Sequence, residues 1–199
     1  MRNNILRWAV CVAALLALTA GIRALAQDAT PAHFSGVIND YTPIAGGTTA
    51  WEVRGPWTLR LNEDTGTANF SAAVTMELSV LGQSPANVQA AALAQHTHHI
   101  TMKDATVTFN PTDCPAHASG TPAYTARIEV TGSAMLSANG GSFPPPPSAP
   151  QPSQLQVCIE GGTDVAYSNV TLVFGTPASN HLGSQVIHGV VRKASSQDQ

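Results

Sequence analysis

From Trp51 onward, apolar and polar side chains alternate with a period of two. Trp51, Val53, Gly55, Trp57, Leu59 and Leu61 occupy one set of positions; Glu52, Arg54, Pro56, Thr58 and Arg60 occupy the other. The same rhythm runs from Thr67 to Val80 and from Tyr124 to Leu136. Strand side chains point alternately to opposite faces, so each stretch predicts a long strand buried on one side. Asn62 to Gly66 supplies turn residues throughout and predicts a hairpin loop. Leu155 to Glu160, then Gly161-Gly162, then Val165 to Phe174 predicts a second hairpin, because Gly-Gly accepts positive φ. Gln185 to Arg192 is apolar on both faces and reads as a central strand. Phe34 to Ile38, Ala105 to Phe109 and His96 to Met102 are shorter strand candidates.

Two stretches break the alternation. Ser84, Pro85 and the alanine-rich run that follows predict one short helical insertion near 85–94, with Ser84 as N-cap. Residues 143–154 hold prolines at 144, 145, 146, 147, 150 and 152 and predict a stiff, solvated loop. The whole is an all-β fold of one antiparallel domain with about eight to ten strands. Strands buried on a single face favour a β-barrel, with a two-sheet sandwich as the alternative.

The first residues carry a different pattern. Arg2 and Arg7 precede an apolar run from Trp8 to Ala20, and Ala24-Leu25-Ala26 forms an A-x-A cleavage signal. Residues 1–26 are therefore expected to be a cleaved secretory leader, with 27–199 as the β domain, secreted or periplasmic. The apolar run is too short for a permanent span, and no second one follows. Removing Arg2, Arg7 and Arg23 leaves six of nine basic residues against all twelve acidic ones, a net charge near −6. The remaining cations are scattered, which argues against nucleic acid and against anionic membrane surfaces. Cleavage also removes Cys11, leaving Cys114 and Cys158 as a pair that predicts a disulfide in an oxidising compartment.

The candidate chemistry lies in His96-Thr97-His98-His99, three of the seven histidines. On a strand, His96 and His98 share the apolar face with Ile100 and Met102, while His99 leaves from the other face. Two imidazoles two positions apart suit zinc or copper. His188, in the apolar run Val186 to Val190, is the preferred third ligand, because an unpaired imidazole there would be costly and Gly189 permits close approach. His181 and His33 rank below it, and His117 falls in an exposed loop. Trp51, Trp57 and Phe70 are candidates for the wall of a small-ligand cavity, or else plain core. The HExxH signature, the cupin glutamate after the second histidine, the G-x-S-x-G elbow and the P-loop are absent. Two classes of function follow: a metal-binding β-protein, with catalysis at an open metal position as one form of it, or a non-catalytic module that holds an apolar ligand or contacts envelope components. The balance favours a non-catalytic protein, with the histidines marking the site.

Overall fold

A computed structural model describes residues 32–43, 49–80, 95–112, 114, 125–139, 151–161, 167–182 and 185–196. The alternating segments form eight strands: β1 (His33–Pro43), β2 (Thr49–Asn62), β3 (Thr67–Val80), β4 (His96–Phe109), β5 (Thr125–Asn139), β6 (Gln151–Gly161), β7 (Asn169–Phe174) and β8 (Ile187–Ser195). Each pairs antiparallel with the next, and β8 pairs with β1, closing an up-and-down barrel without a free sheet edge. The barrel rather than the sandwich is the architecture. The apolar set of every strand points inward, and Phe34, Trp57, Leu59, Phe70, Ile100 and Ile128 are almost wholly buried there.

The β2–β3 hairpin turns at Asn62 to Gly66 as expected. The Asn62 side-chain oxygen accepts from the Thr65 amide, and Gly66 takes φ 64°. The two candidate segments at His96 and Ala105 are one strand. Residues 96, 98, 100 and 102 face inward, and then the inward set moves to Ala105. The shift is a bulge: Asp104 adopts φ 50°, and its amide donates to the Asn69 side chain.

Other expectations need correction. β6 and β7 pair, but their ladder ends at Glu160↔Asn169, so Gly161-Gly162 is not a two-residue turn. Residues 151–154 are strand rather than loop; Pro152 is tolerated at the start of β6, where its side chain is exposed. β8 is not a doubly buried strand. Ile187 and Gly189 face inward, while Val190 is exposed on the outside. The helix expected at 85–94, the leader at 1–26 and the proline-rich residues 143–150 lie outside the described residues.

The Cys114–Cys158 disulfide is present, with the Cα atoms 6.0 Å apart. It ties the segment after β4 to the outer face of β6. No helix among the described residues is long and apolar enough to cross a membrane.

Candidate metal centre

One barrel mouth is formed by the ends of β1, β3, β5 and β7 and the starts of β2, β4, β6 and β8. His96 and His98 open β4 there, both buried on the inward face. The β7–β8 connection crosses the same mouth and contains a single helical turn, α1 (Ala178–Leu182). Pro177 precedes it, a good residue for a helix start. Ala178, His181 and Leu182 stand at i, i+3 and i+4 and share one face. Ala178 and Leu182 are buried in the core, so His181 is carried inward with them.

The three rings meet through the same atom. His181 Nε2 lies 2.9 Å from His96 Nε2 and 2.9 Å from His98 Nε2. The potential ligand atoms of all three lie within 4.8 Å of one another. Trp51, on β2, covers one flank with its ring edge-on to His96 at 5.3 Å and tilted against His181 at 6.3 Å. On the other flank, His98 and His181 help wall a cavity of about 320 Å³, together with Leu136, Ser137, Ser153, Pro177, Ala178 and Leu182.

Burial holds two of the rings neutral. The His98 pKa is lowered to about 3, first by desolvation, then by repulsion from His181 and His96; a hydrogen bond to the Ser137 backbone opposes the shift. The His181 pKa is lowered to about 4, again first by desolvation and then by His96. Neutral imidazole is the form that binds metal.

Ser153, at the start of β6, fixes the turn that carries His181. Its hydroxyl donates to the Gly175 carbonyl at 2.8 Å and accepts from the Ala178 amide at 3.4 Å. The Gly175 amide donates to the Gln154 carbonyl at 2.9 Å. The chain entering α1 is thus pinned to β6 on both sides of residue 175.

His96 and His98 stand where the strand period placed them. The third converging histidine is His181, not His188. His188 lies on the outer face of β8, and its backbone amide and Nδ1 both bond to Asp40 Oδ2, at 2.7 and 2.8 Å. The regular β1–β8 pairing ends at Ile38↔Gly189, and the Asp40 carboxylate takes over beyond it. Gly189 does allow a close approach, but of the β1 backbone: a Cβ there would meet the Val37 carbonyl oxygen at 2.5 Å. His99 is exposed, and its Nε2 accepts from the Asn139 side-chain Nδ2 at 3.1 Å. His33 begins β1 at the opposite barrel end, and His117 lies outside the described residues. Trp57 and Phe70 stack on each other inside the barrel at 6.3 Å and are core, whereas Trp51 backs the histidines rather than walling the cavity.

In the sequence, the inward placement of His181 is marked only by Pro177 followed by Ala178 and Leu182 at helical spacing. Compared with protein-family models, with characterised proteins and with solved structures, the chain matches none.

Proposed function

We propose that the protein is a metal-binding β-barrel that holds zinc or copper through the Nε2 atoms of His96, His98 and His181. One observation carries this reading. A neutral imidazole nitrogen has either one proton or one lone pair. His181 Nε2 therefore cannot form two good hydrogen bonds, yet it faces two other Nε2 atoms at 2.9 Å. Protonation is opposed by burial, so a second proton is a poor remedy. A cation among the three lone pairs resolves the conflict. Tetrahedral zinc with about 2.0–2.1 Å bonds sets its nitrogens about 3.3 Å apart, a few tenths of an ångström more than the two His181 distances, and all three donors already lie within 4.8 Å of one another.

Three further features support the reading. The donors are all imidazole, which suits zinc and copper better than calcium or magnesium. The Ser137 backbone bond to His98 is the kind of outer contact that orients a metal-binding ring. The leader-like residues 1–26 and the disulfide fit a protein exported to an oxidising compartment. The donor set supplies three ligands, which leaves a fourth position for water or a small ligand. A binding or carrier role needs nothing more.

The test is metal stoichiometry. Protein stripped of metal should bind one zinc or copper per chain in calorimetry. His181→Ala and His98→Ala should lose that binding; His188→Ala and His99→Ala should keep it. Equal losses in all four variants, or no uptake by the unaltered chain, would refute the site.

A further inference from the structure

We infer that the fourth position of the bound metal is taken by the carboxylate of a small apolar acid whose hydrocarbon body fills the adjoining cavity. The inference rests on the metal reading above and adds a ligand class to it. His98 and His181 are at once candidate donors and walls of the cavity, so an ion held between them would adjoin it.

Charge selects the head group. Three neutral imidazoles leave the charge of a divalent cation uncompensated in a desolvated place. Among the described residues that wall the cavity none is acidic, and the group of potential metal ligands contains no carboxylate or thiolate. An anion from outside the chain is the missing partner. A carboxylate is a hard oxygen donor that zinc accepts at about 2.0–2.2 Å.

The walls select the body. Leu136, Pro177, Ala178 and Leu182 give an apolar surface. The Ser153 hydroxyl is already engaged as donor to Gly175 and acceptor from Ala178, so it offers little to a polar ligand. A volume of about 320 Å³ sits at the small end of ligand pockets and fits a short fatty or simple aromatic acid rather than a long lipid.

The experiment uses the full chain loaded with Co²⁺, whose visible absorption reports the fourth ligand. Co²⁺ uptake is measured first. Acetate, butyrate, hexanoate and 1-hexanol are then titrated. The absorption band should shift with each acid, and hexanoate should bind at least about tenfold more tightly than acetate, because each buried methylene contributes up to about fourfold. Hexanol should leave the band unchanged. Leu136→Trp, which narrows the cavity from a wall residue that is not itself a donor, should retain Co²⁺ and lower hexanoate affinity to that of acetate. Equal affinity for acetate and hexanoate would overturn the inference while leaving the metal site standing. Tight hexanol binding without a band shift would also overturn it, since the cavity would then serve apolar ligands independently of the metal. Failure to take up Co²⁺ would instead refute the metal reading, and the inference with it. The chain-length series needs no variant, so a poorly folding Leu136→Trp does not decide the matter.

Discussion

The Ser153 hydroxyl donates to the Gly175 carbonyl across 2.8 Å, joining the first residues of β6 to the approach of α1. That contact fixes a five-residue helical turn, too short to hold its own shape in water. His181 depends on it for position, although Ser153 touches none of the three Nε2 atoms.

Ser153→Ala should therefore weaken metal binding about tenfold, the lower end of what outer contacts contribute to metal sites. The barrel should lose only about 1 kcal/mol of stability, the usual worth of one hydrogen bond. Competition with a chelator gives the affinity, and urea unfolding of the metal-free chain gives the stability. Unchanged affinity beside a large stability loss would mean that Ser153 serves the fold alone.

Acid should destabilise the metal-free protein through the same histidines. In the unfolded chain each ring titrates near 6.5. In the barrel His98 is held at about 3 and His181 at about 4. Between these values the unfolded chain binds more protons, so stability rises with pH. The contribution is complete above about 6.5 and declines as pH falls toward 4 for His181 and 3 for His98. Urea midpoints at pH 7 and pH 4.5 should differ, and His98→Leu should reduce the difference. Zinc should raise the midpoint further by mass action at both pH values, because His98 and His181 are still largely neutral in the barrel at pH 4.5, and should lose its effect only below about pH 4. Identical pH dependence in wild type and His98→Leu would show that His98 contributes nothing to it.

The disulfide predicts the opposite separation of effects. Replacing Cys114 and Cys158 together by Ala should lower stability by about 2–4 kcal/mol. Metal stoichiometry should stay at one per chain, because the bridge and the histidines sit at opposite ends of the barrel. Loss of metal by a chain that remains folded would mean the two ends are not independent.

The long strands were legible because each buries a single face, and His96 and His98 came with them. The bulge at Asp104 was not legible: it needs the Asn69 side chain, which comes close only once β3 and β4 pair. His188 misled for a related reason. Its neighbours are apolar in both directions, so alternation gave it no face, and the Asp40 carboxylate that satisfies it lies 148 residues away. His181 was obscured by the brevity of α1, whose single turn gives only Ala178 and Leu182 as a pattern. Ser153 was hidden by the prolines that precede it, at 150 and 152, which suggested loop where β6 already begins.

His181 lies 83 residues from His98 along the chain, and β4 and β7 are separated by two intervening strands. An ion shared by them is therefore a crosslink across the barrel, made without a covalent bond. Together with Cys114–Cys158 it would give the barrel a fastening at each end, and the two would respond to different surroundings. Reductant would release one, and acid or a chelator the other. A chain entering an oxidising, metal-bearing compartment would thus be locked in two separable stages, the order of which depends on whether oxidant or metal reaches it first.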